Sequence, residues 1–254
     1  MVLISDDRSL SLWTRLVEWF QGPLGHSVLQ AERAQLGPVL SGLFGFHIVQ
    51  IGALGAADLF AGSRIAHRIV LNIDPQLPIA MLGHPLCAAG ALPLQTRSID
   101  VIVLPHVLEF QADRMDVLRE TERVLAGEGH VVILGFNPWS LWGLWRLFSA
   151  WEKRVPWCGR FLAMGRLQAW LRDLGFDIVQ SRRFNVRAPW TNAPAERRWE
   201  ISERIGAWLG FGGVYLLVGK KRIEAMTPIG ARRHAQRRVL HGGVAGSSVQ
   251  RVRP

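Results

Sequence analysis

Six short apolar runs limit what this 254-residue chain can fold into. They lie at Phe46–Gly52, "HRIVLNID" (67–74), "SIDVIVLPHV" (98–107), "HVVILGF" (130–136), "LGFDIV" (174–179) and "GVYLLVGKKR" (213–222). Val, Ile and Leu follow one another there with little polar alternation, as in strands buried on both faces. Helical patterns separate the runs. "DRMDVLRETERVLAGEG" places Met115, Val117, Leu118, Val124 and Leu125 at turn spacing, with Asp113 positioned to cap and Gly127 and Gly129 to stop. "MGRLQAWLRDLG" and "AERRWEISERIGAWLGFGG" read as further helices. Ahead of the first strand, "SLWTRLVEWF" (Leu12, Leu16, Trp19, Phe20) and "SVLQAERAQLGPVLSGLF" predict two more. Strands alternating with helices predict an α/β fold whose parallel sheet is covered on both faces.

The composition, 49% hydrophobic and 20% charged, suits a chain with a real core. Cys87 and Cys158 lie too far apart to suggest a disulfide framework or a metal motif, so no metal site is expected and a reducing compartment fits. Asp6 and Asp7 precede the first apolar stretch, the wrong charge for a secretory signal, so the expected location is cytoplasmic. The net charge of +10 is mostly a property of the C-terminal end: residues 219–254 hold nine Lys/Arg and one acid. Residues 223–254, rich in Gly, Ser and Arg, read as a disordered basic tail. Without interleaved aromatics, that tail would meet nucleic acid or anionic lipid only non-specifically.

"HIVQIGALGAADL" (47–59) runs from strand into glycine. Gly52 and Gly55 would let a ligand approach the backbone, and a helix start there would offer N–H groups. Asp74 stands 22 residues after Gly52, at the end of the next strand. A carboxylate there can accept both hydroxyls of a cofactor ribose. The G-x-G-x-x-G fingerprint of dinucleotide enzymes is absent, which weighs against a nicotinamide oxidoreductase. A plain turn at the glycines and a plain strand-end carboxylate at Asp74 remain open. His106, at the end of the third apolar run, is either a general base or a backbone wall of the site.

"AGALPLQTRSIDVIVLPHVLEF" (89–110) resembles the class I S-adenosylmethionine-dependent methyltransferases, in particular their type 11 small-molecule group. The resemblance rests on Leu92-Pro93-Leu94, then Ser98-Ile99-Asp100, then His106-Val107-Leu108, followed by "LRETERVLAGEGHVVI". It implies a seven-stranded Rossmann-like methyltransferase sheet, mostly parallel with the last strand antiparallel. Residues 46–222 would form that domain, with two helices in 1–45 packed on it, a Trp-rich insertion over 137–165 and the tail from 223. It implies S-adenosylmethionine as cofactor and a small-molecule acceptor. By the same resemblance, Gln50, Gly52 and Gly55 face the methionine part and Asp74 holds the ribose. Ala91 and Leu92 flank the adenine, Pro105 and His106 close the site, and Asp100 is structural. Gln50 stands where the family usually has an acid, Leu54 and Ala56 where it has glycine, and Ala88 or Ala89 where many members have an acid. These departures imply weaker cofactor binding. They define the alternative, a non-catalytic methyltransferase-fold protein that binds cofactor or a partner.

"NPWSLWGLWRLFSAWEKRVPW" (137–157) holds five of the eleven tryptophans. Three readings stand: a substrate lid, a membrane-surface contact through 139–157 with Lys153 and Arg154 at headgroups, or core against the N-terminal helices. Asn137 and Pro138, Arg146 in mid-segment and the strand that 131–135 must form weigh against a membrane span through 131–151. In the resembling family the insertion shapes the acceptor side, which places that side at 139–165. Arg182, Arg183 and Arg187 are either an anion clamp or a solvated face.

Overall fold

A computed structural model describes residues 11–54, 59–77, 84–149, 155–184 and 212–223. Gly55, the middle of the Trp-rich segment, Arg187, most of the helix expected over 195–213 and the basic tail lie outside the described residues.

The chain opens with α1 (Leu12–Gln21). Ser11 caps it, its hydroxyl accepting the Thr14 N–H at 3.0 Å. Trp13, Leu16, Val17 and Phe20 recur at helical spacing and form the buried face. Gly22 is extended and Pro23 opens α2 (Pro23–Ser41), where a missing N–H costs nothing. Gly25 lets α2 lie against the end of α1: a Cβ there would run into the Trp19 carbonyl and come 2.6 Å from the Phe20 Cα. Backbone cannot yield as a side-chain tip can. Gly25→Ala is therefore expected to cost about 1–3 kcal/mol in urea unfolding.

The strands are β1 (His47–Ile51), β2 (His67–Leu71), β3 (Ile99–Pro105), β4 (Leu125–Phe136), β5 (Phe176–Phe184) and β6 (Val214–Lys221). Among the described residues, the helices between them are α3 (Val107–Phe110), α4 (Arg114–Val124), α5 (Leu141–Ser149) and α6 (Met164–Asp173). The sheet order is β2-β1-β3-β4-β6-β5. β1 pairs in parallel with β2 and β3, and β3 with β4. β6 runs antiparallel to both β4 and β5. The sheet is thus mostly parallel with its last strand reversed, as expected.

Six strands form among the described residues, not seven. Where a seventh would extend the edge beside β2, only one bridge forms, Asn72 to Leu86. The sequence "HPLCAAGALP" explains this: its prolines, glycine and alanines supply neither ladder donors throughout nor β-branched bulk.

Asp100 has a structural task. Its carboxylate accepts the N–H groups of Phe46 (2.7 Å) and His47 (2.9 Å), fixing the entry to β1 against β3. Asp113 sits at the N-cap of α4 but makes no capping hydrogen bond. The core centres on β1, β3, β4 and β6, whose Ile48, Val49, Val101–Leu104, Val131–Leu134 and Leu216–Val218 are buried. Because β1 has β2 on one side and β3 on the other, the chain leaves the sheet in opposite directions from neighbouring strands. In open α/β sheets ligands bind at such a switch, outside the carboxyl ends.

Candidate cofactor cleft

The switch brings together Gly52, Asp74, Pro105 and His106. Gly52 follows β1 with φ at +89°, a left-handed conformation suited to glycine. Its N–H is already given to the Leu71 carbonyl at 2.9 Å, so what it offers a ligand is closeness, not a donor. Gln50, fully buried, spans the loop. Its amide donates to the Gly52 carbonyl (3.0 Å) and its carbonyl accepts the Leu59 N–H (3.1 Å). Both arms of Gln50 thus hold the loop closed on itself. Pro105 ends β3 opposite Leu134.

Asp74 is 4% exposed, and its Oδ2 is held by the chain's own first helical turn. Oδ2 accepts the hydroxyls of Ser11 and Thr14 (Thr14 at 2.7 Å) and the Thr14 N–H at 3.1 Å. Oδ1 accepts the Gln76 N–H at 3.0 Å. Burial by itself would raise this carboxyl's pKa. The hydrogen bonds from Ser11, Gln76 and Thr14 together outweigh it and leave the pKa lowered. Between the two hydroxyl residues of this hold lies Trp13. Its indole N–H donates to the Ala53 carbonyl at 3.2 Å. Its ring lies on Gly52, so close that a Cβ there would be 2.6 Å from a ring carbon and 3.0 Å from Val107. Sequence reasoning put α1 in place as a helix but missed that Ser11, Trp13 and Thr14 enter the cleft.

His106, φ +57°, is fully buried at the turn from β3 into α3. Its Nε2 lies 2.7 Å from a Glu32 carboxylate oxygen on α2, and its Nδ1 lies 2.9 Å from one of Glu109. Glu109 also accepts the Phe136 N–H. Ionised carboxylates only accept, and neutral imidazole has one N–H, so this geometry calls for imidazolium. Burial pulls the other way, lowering the histidine and raising Glu109. The two flanking carboxylates prevail and push the His106 pKa up to about 10. The rings of Phe136 (4.2 Å between centroids) and Phe20 (5.5 Å) close over it. Neither ring nitrogen is free to take a proton from a substrate in this arrangement.

Ala91 and Leu92 sit one element away, against α4. Ala91 closes a turn onto the Ala88 carbonyl, and the Leu92 N–H is held by Glu120 at 2.7 Å. Arg123 clamps the same segment through the carbonyls of Leu92 and Leu94. On the far side of His106, Trp142 of α5 is buried against Phe136, Trp157 and Trp19 of α1. The described part of the Trp-rich segment is thus core on one face. Trp139, Leu141, Leu144 and Trp145 are exposed on the other. Arg146 gives its Nε–H to the Trp157 carbonyl and stands over the Phe161 ring, and Arg114 donates to the Arg160 carbonyl. Arg182 is exposed on β5. Among the described residues no cluster of His, Cys, Asp and Glu could hold a metal ion, and no helix is long and apolar enough to cross a membrane.

The residues present fit the ribosyl cofactor that the resemblance implies. A buried carboxylate that takes two hydroxyls on one oxygen has the donor preference of a ribose anchor. Gly52, with no side chain, gives a floor that takes a flat group, and the Trp13 ring occupies it in this structure.

A family model described as "Methyltransferase domain" matches residues 74–133. The uncharacterised protein YafS of Escherichia coli (strain K12) is 32% identical over 210 residues, covering 82% of each chain. Among solved structures, a methyltransferase of Thermotoga maritima described as a possible histamine N-methyltransferase superposes with a TM-score of 0.61 at 19% identity, covering 83% of this chain and 99% of that one. An S-adenosylmethionine-dependent methyltransferase of Archaeoglobus fulgidus gives 0.56 at 19% identity, covering 83% and 100%.

Proposed function

Because the chain belongs to the class I S-adenosylmethionine-dependent methyltransferases, we propose that it transfers a methyl group to a small-molecule acceptor from a cofactor seated between Gly52 and Asp74. The observation that carries this is the convergence of Gly52, Asp74 and the Pro105–His106 turn on one end of three adjacent strands. Asp74 would hold the ribose hydroxyls. The bare Gly52 backbone would let the methionine part lie close, and Val107 would bound it on the β3 side. The bound cofactor supplies an already activated methyl group. What the protein adds is alignment, worth roughly 7–11 kcal/mol in favourable cases, and exclusion of water. A fixed base is not required by that chemistry. The Glu32–His106–Glu109 trio would act as a rigid wall that keeps α2 and α3 in register beside the site. The acceptor would enter from the side of α5 and residues 155–165.

A second reading is favoured by one set of contacts: Gln50 spends both arms on its own loop, and Asp74 is satisfied by the chain itself. A protein that kept the fold and lost the cofactor would look the same. A thermal-shift panel tests whether cofactor binding was kept, and a non-catalytic protein that still binds cofactor would show the shift without turnover across an acceptor screen. S-adenosylhomocysteine at a hundredfold over its dissociation constant is expected to stabilise the protein by about 2.7 kcal/mol, and NADH by nothing. No shift with S-adenosylmethionine or its demethylated product, at any concentration, would leave only a non-catalytic protein that kept the fold without the cofactor.

A further inference from the structure

We propose that the first turn of α1 is an internal competitor of the cofactor: Ser11 and Thr14 occupy the carboxylate meant for the ribose, Trp13 covers Gly52, and this turn must withdraw for the site to load. The inference rests on the reading of Asp74 as the ribose anchor.

Three facts carry it. First, Oδ2 of Asp74 already has three donors, two of them hydroxyls from one helical turn. A carboxylate oxygen offers about two lone-pair sites, so a ribose diol and this turn cannot share it. Second, the indole lies within contact of Gly52 and gives its N–H to Ala53. That fills the floor a cofactor would need, so the exclusion is steric as well. Third, the contacts are confined to the start of the helix. The rest of α1 is held elsewhere: Leu16 is fully buried, and Trp19 packs on Trp142 and Trp157. A helix end opens locally at far less cost than its middle, so residues 11–14 can unwind while Leu16 to Phe20 stay. The latch is self-complementary in a second way. Asp74 stabilises the positive end of α1 as a capping carboxylate does, so releasing it to a ribose also removes a reason for the first turn to be helical.

The apparent affinity of such a protein is its intrinsic affinity reduced by the fraction with the turn open. Calorimetric titration of S-adenosylhomocysteine tests this with three variants. Ser11→Ala/Thr14→Val removes both hydroxyls, and Trp13→Ala clears the floor without touching them. Each is expected to bind about tenfold to a hundredfold more tightly than the unaltered chain. Asp74→Ala should bind more weakly than either. Hydrogen exchange supplies a readout independent of affinity: on saturation of the unaltered protein, the amides of residues 14–18, whose acceptors lie on Asp74 or on residues 11–14, should lose protection while those of 19–21 keep it. Equal affinity in all latch variants, with undiminished protection at 14–18, overturns the latch and makes α1 a fixed wall of the site. Binding that is indifferent to Asp74→Ala removes the ribose reading beneath it. Absence of binding in every variant removes both.

Discussion

Replacing His106 by leucine is expected to lower the unfolding free energy by about 3–5 kcal/mol, the usual cost of taking one partner out of a buried ion pair. Glu32 and Glu109 are 0% and 2% exposed, and both lose their cation when the imidazole goes. The second oxygen of Glu32 has no hydrogen-bond partner even in the intact trio, so nothing nearby stands ready to compensate. Urea unfolding at pH 7 measures the loss. A variant that also carries Glu32→Gln should recover part of it, because one of the stranded charges is then gone. The pH dependence gives the mechanism. The folded pKa of His106, about 10, lies above the ordinary histidine value of 6.5. Its contribution is therefore complete below about 6.5 and is lost as pH rises toward 10. The unaltered protein should lose stability steeply across that window, and His106→Leu should not. Equal alkaline slopes would show that the proton sits on a carboxyl instead.

What could be read from the chain divides by the range of the contacts. The β-strands announce themselves because β1, β3, β4 and β6 lie at the middle of the sheet, so their sequences are apolar throughout, and local composition suffices. Asp74 was readable as a strand-end carboxylate because its place depends only on where β2 stops. Its partners were not. Ser11 and Thr14 lie 63 and 60 residues away, and a serine before a helix signals a cap without saying which acid it will meet. Glu32 is 74 residues from His106 and sits in an amphipathic helix, where a glutamate reads as solvated. It became buried because α2 sets it against His106, the residue after β3, a tertiary fact with no local sign. The seventh strand, not formed among the described residues, was the reverse case: the family pattern implied it, while Pro85, Gly90 and Pro93 in the chain's own sequence spoke against a ladder. The departures at Gln50 and Leu54 acquire a physical meaning only in the folded chain. Gln50 braces the loop through both ends of its amide, and Leu54 is buried.

Asp74→Ala is expected to act on two equilibria at once, and their difference is what identifies the residue's role. On stability, it leaves the Ser11 and Thr14 hydroxyls without their charged acceptor. The Thr14 N–H still has the Ser11 oxygen at 3.0 Å, so the helix cap survives in part. The expected loss is about 2 kcal/mol, the scale of hydrogen bonds to a charged group less what the cap retains. Because the folded pKa of Asp74 is lowered, this stabilisation is present at neutral pH and above the ordinary carboxylate value of 3.8, and it disappears as pH falls through the folded pKa. The gap between the two proteins should therefore close in acid. On cofactor binding, the same substitution frees the first turn, which favours loading, and deletes the ribose anchor, which opposes it. Two charge-assisted hydrogen bonds outweigh one local opening, so the variant should bind S-adenosylhomocysteine about a hundredfold more weakly than Ser11→Ala/Thr14→Val, in which the turn is free and the anchor intact. Calorimetry on that pair isolates the carboxylate, since the turn is released in both. If the pair bind alike, Asp74 serves only to cap α1, and the cofactor, if it binds, is held by something other than the end of β2.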